Sequence, residues 1–274
     1  MTENNNNEIK HETTIFAEPI FHIGSFTVTN ALLNSWLAVI ILLLFFVAAG
    51  RKIKKIPRGV QNMFETILEG ALSFADSITG DRKKSQKLLP ICLTLFLFIL
   101  VNNYLGLMPF VGSIGFIEEL HGERFFIPMF RGATADLNTT LALALFSVVA
   151  IHVFGAMMVG GWNYFNRFIN VKAFLEIPKK FKKDKNILLV NPIKAFVSMI
   201  EIVGEVAKIA SLSLRLFGNI FAGEVLLVSM MAIFAFLTPV PFMFLEIIVG
   251  LVQALVFSIL VLVFMSMATA TEEH

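Results

Sequence analysis

The sequence has 274 residues, of which 57% are apolar and 15% charged, and its mean hydropathy is +0.79. Soluble domains are about 45–50% apolar and about 25% charged, so this composition excludes an ordinary soluble fold and indicates a membrane protein. The formal net charge of +2 is too small to indicate nucleic-acid binding, and a single cysteine, Cys92, excludes a disulfide framework or a cysteine-based metal site.

The first half of the chain predicts two membrane spans separated by a surface helix. Residues 1–30 are predicted to be an external polar tail, because their Asn-rich start lacks the basic and then apolar layout of a signal peptide. Residues 31–50 and 88–110 are apolar enough to cross a bilayer, which needs about 20 residues. Residues 57–87 carry apolar side chains at helical spacing against Gln and Glu, which predicts an amphipathic helix on the membrane surface. Residues 111–135 are then an external loop.

The second half predicts three further spans. Residues 137–162 form the third, with Asp136 as its N-terminal cap. A basic loop follows at 163–191. The run at 192–238 would be roughly 70 Å long as one helix, more than twice the hydrocarbon thickness, so it must be bent, broken or strongly tilted. Two prolines then precede the last span, 242–268. The expected fold is an all-α polytopic membrane protein with five spans in one membrane domain.

Lysines and arginines predict the orientation, because they accumulate in cytoplasmic loops. Nine lie between residues 51 and 87 and eight between 167 and 194, whereas the alternate side has three: Lys10, Arg124 and Arg131. The N-terminus is therefore expected outside and the C-terminus inside, which agrees with an odd number of spans.

The fourth apolar run carries a stripe of polar residues. At about 100° per residue, Lys208 lies about 20° from Arg215, and Ser211 lies about 40° away on the other side. Glu224 faces the opposite way. The same stripe also contains, or has beside it, Glu201, Gly204, Glu205, Gly218, Asn219 and Ala222.

Charges inside a membrane are costly and usually functional, so the stripe favours an ion path. The alternative is a set of structural ion pairs, in which Glu201 or Glu205 pairs with Lys208 and Arg215 pairs with an acid on a neighbouring helix. In the last span, Glu246 and Gln253 are seven residues apart and share a second polar face. A lone histidine, His152 in the third span, is more often a hydrogen-bonded interior residue.

Enzymatic motifs are absent from the sequence: it has no Walker-type loop, HExxH, GxSxG or paired Cys-x-x-Cys. The chain by itself is expected neither to bind nucleotide nor to hydrolyse a substrate. No cofactor or metal site is predicted.

Several segments carry a family resemblance. SLSLRLFGNIFAGE, residues 211–224, closely resembles the signature of subunit a of F-type ATP synthases, the membrane stator beside the rotating c-ring. QNMFETILEG, LLPICLTLFLFILVNNYLGLMPF, ADLNTTLALAL and the end MSMATATEEH look like the same family in the same order. The most specific element is Arg-Leu-Phe-Gly-Asn at 215–219.

The resemblance implies a function in proton translocation. Protons would enter one half-channel, bind a c-subunit carboxylate, travel with the ring and leave by a second half-channel, with Arg215 separating the two. Asn219 and Gln253 match polar neighbours of that arginine, and Glu224 with Glu246 match the external half-channel. The inner half-channel corresponds to Ser211, Lys208 and Glu201.

The resemblance also implies partners and a location. The expected partners are the c-ring proteolipids, the peripheral-stalk b subunits, the rest of the synthase and membrane lipid, in a bacterial inner membrane. The last two helices would form a long hairpin tilted against the ring. Three alternatives stay open at this stage: a sodium-translocating subunit of the same kind, a small-ion secondary transporter, and a membrane-embedded assembly factor.

Overall fold

The computed structural model describes residues 9–10, 14–51, 59–120, 123–162, 164, 187–234 and 237–270. Six α-helices account for most of this part of the chain. Their bounds are α1 Asn30–Gly50, α2 Val60–Thr79, α3 Arg82–Gly106, α4 Leu137–Val159, α5 Ile187–Ile233 and α6 Pro239–Ala268.

Five of these helices, α1 and α3 to α6, are long and apolar enough to cross a membrane, which agrees with the predicted all-α polytopic fold. The second span begins earlier than predicted. Gly80 ends α2 in a left-handed conformation with φ 71°, and Asp81 caps α3 by accepting a hydrogen bond from the backbone N–H of Lys83 at 2.9 Å. The predicted surface helix at 57–87 is therefore too long, since residues 82–87 are the first turns of α3.

Helix α2 has the predicted amphipathic character. Apolar side chains along it are exposed, among them Met63, Ile67 and Phe74. Arg82 ties α2 to α3 through 2.6 Å ion pairs with both Asp76 and Glu69. Hydrogen bonds from Ser85 and then from Arg82 lower the pKa of the Asp76 carboxyl, so this corner keeps its negative charge at neutral pH.

Short strands occupy the regions predicted as the N-terminal tail and the external loop. β2 Pro19–Ile23 and β3 Phe26–Thr29 form an antiparallel hairpin. β4 Gly115–Leu120 pairs antiparallel with β5 Glu123–Pro128, and β1 Ile9–Lys10 adds parallel to β5. The expectation of a polar tail is therefore incomplete, because backbone pairing orders part of that segment against the loop.

The long fourth run is one continuous helix. Helix α5 has 47 residues, about 70 Å at 1.5 Å per residue, so it is longer than a perpendicular span requires. A turn at Thr238 leads into α6, and the two helices pack as the predicted hairpin. Most of the predicted basic loop at 163–191 lies outside the described residues.

The core lies between α3, α4, α5 and α6. Leu88 and Ile99 from α3 meet Leu216 from α5 and Val261 from α6 in one buried apolar cluster. One buried polar side chain also joins two helices of this core, since Asn103 Nδ2 on α3 donates to the backbone carbonyl of Gly250 on α6 at 2.8 Å. This packing fixes α5 and α6 against α3 and α4, and so positions the polar groups of the hairpin.

Candidate functional site

Arg215 lies on an exposed face of α5. Its side chain is exposed together with Ser211 and Asn219, one turn on either side, and Arg215 Nη2 donates to Ser211 Oγ at 3.2 Å. Open space surrounds the Cα atoms of Gly204 and Gly218, where an added Cβ would meet nothing within 4 Å. The part of the predicted stripe around Arg215 and Gly218 is therefore a face of the hairpin that this chain leaves uncovered, whereas Glu205 of the same stripe contacts α4.

Within the described part of the chain, no carboxylate forms an ion pair with Arg215. This finding does not support the reading in which Arg215 is half of a structural pair with an acid on a neighbouring helix. An arginine kept in a membrane without an internal acid is costly, so its charge must be met by water or by another chain.

In the N-terminal half of α5, an ionic cluster connects α5 to α4. Lys208 Nζ donates to Glu205 Oε1 at 2.7 Å, which realises the predicted pairing one turn apart with Glu205 as the partner. Glu205 Oε2 lies 3.5 Å from His152 Nε2, and the other ring nitrogen of His152 lies 2.8 Å from the Tyr164 hydroxyl. Glu201 is half-buried one turn before Glu205. The cluster is a short series of groups able to exchange protons.

A cavity of about 560 Å³ lies beside the other half of α5, away from the Glu205 cluster. The two acids assigned to a common path from the sequence, Glu224 and Glu246, both line it. Glu246 is 8% exposed, and its Oε1 has no hydrogen-bond partner among the described residues. The other polar side chains of the wall are Glu18, Asn103, Ser113, Arg131 and Thr134.

Arg131 holds Glu224 at the cavity wall. Its Nε and Nη2 reach the Glu224 carboxylate, with Nη2 3.0 Å from Oε2, while the Arg131 side chain is 5% exposed. Two hydrogen bonds from one guanidinium fix the orientation of a carboxylate and strengthen the ionic attraction between the two groups. Glu224 therefore keeps a defined position beside the cavity.

Glu246 and Gln253 share a face of α6 as predicted, but they have different surroundings. The Glu246 carboxylate lies against the backbone of Gly223, where any added Cβ would collide with it. Gln253 is half-buried two turns further on and is outside the lining of the cavity. The structure thus brings Glu224 and Glu246 together, Ser211, Arg215 and Asn219 together, and Lys208 with Glu205.

Three residues near these groups were not assigned to the path from the sequence. Arg131 was counted only as an external basic residue, and His152 was read as an interior histidine. Asn103, which accepts a 2.6 Å hydrogen bond from Thr134 in the cavity wall, had no assigned role. The one available signal was the position of Arg131 five residues before the cap Asp136, which places it at the membrane boundary.

The chemistry available to this arrangement is proton exchange. Carboxylates, a histidine and a tyrosine line two regions of α5, and a permanent cation lies between them. Among the described residues, no group of three His, Cys, Asp or Glu side chains is placed to hold a metal ion.

The family profile and the individual relatives that match this sequence all belong to one family. The sequence profile of the ATP synthase A chain matches residues 32–266. ATP synthase subunit a of Moorella thermoacetica is 30% identical over 247 residues, covering 90% of this chain and 94% of the relative. The protein of the same name from Syntrophobacter fumaroxidans is 32% identical, covering 86% and 83%. That from Campylobacter jejuni is 31% identical, covering 92% and 90%.

Proposed function

We infer the function from one premise, that this chain belongs to the ATP synthase A chain family. As a member, it is a non-catalytic, multi-pass subunit of the membrane sector, and it works in the ATP synthase complex. We propose that it conducts protons to and from the carboxylates of a c-ring through two offset half-channels, and that Arg215 separates them.

The position of Arg215 between two acid-lined regions carries this proposal. Along α5, Glu224 lies nine residues beyond Arg215, about 14 Å, and Glu205 lies ten residues before it, about 15 Å. The cavity with Glu224 and Glu246 serves as the outer half-channel. The cluster around Lys208, with Glu201 and Ser211, belongs to the inner one.

Arg215 would act on the proton carrier of the partner ring. A guanidinium stays protonated even when partly buried, so it favours the ionised form of a carboxylate that passes it. The same charge repels a proton that would cross directly between the half-channels. Asn219 and Gln253 supply hydrogen bonds near this point, and the uncovered face around Gly218 leaves room for a ring helix.

The proposal includes the wider assembly and the orientation. The peripheral-stalk b subunits would hold the chain still while the c-ring turns. The N-terminus would lie outside and the C-terminus inside a bacterial inner membrane, so the cavity opens outward.

The test is substitution of Arg215 in the complete complex. Arg215→Ala should assemble with the c-ring but reduce proton-driven ATP synthesis at least 100-fold, with a passive proton leak. Arg215→Lys should also be strongly impaired, because a lysine loses its proton more readily and lacks the planar fork. ATP synthesis and subunit stoichiometry are measured in the same membranes, with Lys83→Ala on α3 as the control for loss of one positive charge.

Three results would contradict the proposal. Robust synthesis by the Arg215→Ala complex would mean that the positive charge of Arg215 is not needed to separate the half-channels. Near-normal synthesis by Arg215→Lys, together with loss of assembly in Arg215→Ala, would assign Arg215 to structure. Synthesis driven by a sodium gradient, and not by a proton gradient, would assign the chain to sodium transport.

A further inference from the structure

The N-terminal segment at residues 14–18 packs beside the cavity and contributes Glu18 to its wall. Arg131 Nη2 donates to the carbonyl of Thr14 at 2.7 Å, and Arg131 Nη1 donates to the carbonyl of Phe16 at 3.2 Å. The backbone N–H of Ala17 donates to Asp136 Oδ1 at 3.0 Å. The same guanidinium that fixes Glu224 therefore also fixes this segment.

Glu18 is held in the cavity from the other side by the start of α1. Its backbone N–H donates to Asn30 Oδ1 at 3.2 Å, and its carbonyl accepts from the Asn30 backbone N–H at 3.1 Å. Asn30 is completely buried, and its Nδ2 lies 3.5 Å from Glu18 Oε2. The Glu18 carboxyl is half-buried and lines the cavity. Its position is therefore set by folded structure on both sides.

The charged groups around Glu18 belong to the same cavity. Burial raises the pKa of Glu18, the Arg131 charge opposes that rise and the Glu224 charge adds to it. Deeper in the same wall is Glu246, more than nine-tenths buried and with one oxygen unpartnered among the described residues. The wall thus presents three carboxyls, of which Glu18 is the one that belongs to the N-terminal segment.

We propose that Glu18 is a proton-accepting residue at the mouth of the outer half-channel, and that Arg131 positions it relative to Glu224 by latching residues 14–18 onto the cavity. This inference rests on the proposed function. A proton from solution binds the Glu18 carboxylate, passes through cavity water to Glu224 or Glu246, and leaves Glu18 ionised again. Arg131 keeps both acids in place and favours their ionised forms, so that neither retains the proton.

The first test removes the acceptor while keeping its shape. Purified complex in vesicles is driven at constant proton-motive force, and ATP synthesis is measured while the pH on the uptake side is varied from 5.5 to 8. Glu18→Gln should lower the rate at least five-fold at pH 8, where protons are scarce, and less than two-fold at pH 5.5. Glu65→Gln, an exposed carboxyl on α2, is the matched control. An unchanged profile, or the same loss at every pH, would overturn the role of Glu18.

The second test substitutes Arg131, for which the midpoint of the pH profile is expected to move in the opposite direction. Removing the cation in Arg131→Gln makes the neighbouring carboxyls hold their protons more strongly, so the midpoint of the profile moves to higher pH and the maximal rate falls. Glu18→Gln moves the midpoint to lower pH. If Arg131→Gln does not assemble, Arg131→Lys keeps the charge but not the fork, and should lower the maximal rate with the midpoint near that of the unmodified complex. A shift toward lower pH in either Arg131 variant would overturn the positioning role.

A third arm distinguishes this inference from the proposed function. Glu224→Gln combined with Glu246→Gln should slow synthesis at every pH if the cavity conducts protons. If that double variant is unimpaired, the outer half-channel itself is wrong. If it is slow while Glu18→Gln matches the unmodified complex, the half-channel stands and the role of Glu18 is wrong.

Discussion

Gly223 is the residue that lets the Glu246 carboxylate lie against α5. Glycine in a helix interior costs about 1 kcal/mol relative to alanine, so its presence here needs a reason. The reason is steric, because a Cβ at this position would collide with the carboxylate from α6. One missing methyl group thus sets the distance between the two helices at the cavity.

Gly223→Ala is expected to displace Glu246 and reduce proton-driven synthesis about ten-fold, while the complex still assembles. The added methyl group must push the carboxylate out of the cavity wall or separate α5 from α6. Synthesis and subunit content of the same membranes provide the measurement. The matched control is Gly70→Ala in the interior of α2, where space is open and alanine improves helix propensity.

A compensating change tests the explanation. Glu246→Asp shortens the side chain by one methylene, so the double variant with Gly223→Ala should recover part of the lost activity. Equal activity in the single and double variants would mean that the methyl group acts somewhere other than on this carboxylate.

Residues of the polar stripe could be grouped from the sequence because a helix repeats every 3.6 residues. The periodicity placed Arg215 with Ser211 and Asn219, and separated Glu224 from them. It could not give the partner of Glu224, since Arg131 comes from a loop 93 positions earlier and reaches the cavity through tertiary packing. For the same reason His152 and Glu205, on different helices, could not be joined.

Among the helices, α5 shows most clearly what length and composition can predict. Its apolar run predicted the element and its excess length, and the structure shows a single uninterrupted helix. The boundary between α2 and α3 was harder to predict, because hydrophobic periodicity does not report where a chain reverses. That boundary depends on the left-handed Gly80 and on the cap Asp81.

The uncovered face of α5 makes a prediction about assembly. Gly218→Trp places a large side chain in the open space next to Asn219, on the face proposed to meet the c-ring. We expect the chain to accumulate in the membrane but its co-purification with c-ring proteolipid to fall at least ten-fold, because close helix approach needs small residues.

The matched control is Met157→Trp on α4, where the side chain is 74% exposed on a helix outside the hairpin. That variant should assemble normally. Normal co-purification of the Gly218→Trp chain would place the ring on a different face, and equal loss in both variants would indicate general misfolding.

At the scale of the whole molecule, the basic residues and the cavity lie at opposite ends of the helices, which predicts one orientation across the membrane. The cavity is lined by Glu18, by the end of α3 and the loop between α3 and α4 with Arg131, and by the facing parts of α5 and α6, and the β4–β5 hairpin belongs to the same loop. Among the described residues, the basic side chains between α1 and α3 lie at the opposite ends of these helices: Arg51 follows α1, and Arg82, Lys83, Lys84 and Lys87 belong to the first turns of α3. Because cytoplasmic loops accumulate basic residues, the cavity end is expected to face outward.

Thiol labelling measures this orientation directly. Cysteines are introduced at Ser113, in the loop after α3, and at Ala270, after α6, since both residues are exposed. Buried Cys92 is replaced by serine to remove background. In intact spheroplasts an impermeant reagent should modify Ser113→Cys and spare Ala270→Cys, and permeabilised membranes should allow both to react.

Three of the five spans separate the two positions, which must therefore lie on opposite sides of the membrane. Labelling of both in intact spheroplasts would contradict the span count. Labelling of Ala270→Cys alone would mean that the molecule has the reverse orientation. The Glu224 cavity would then open toward the cytoplasm, where it could not take up protons for synthesis.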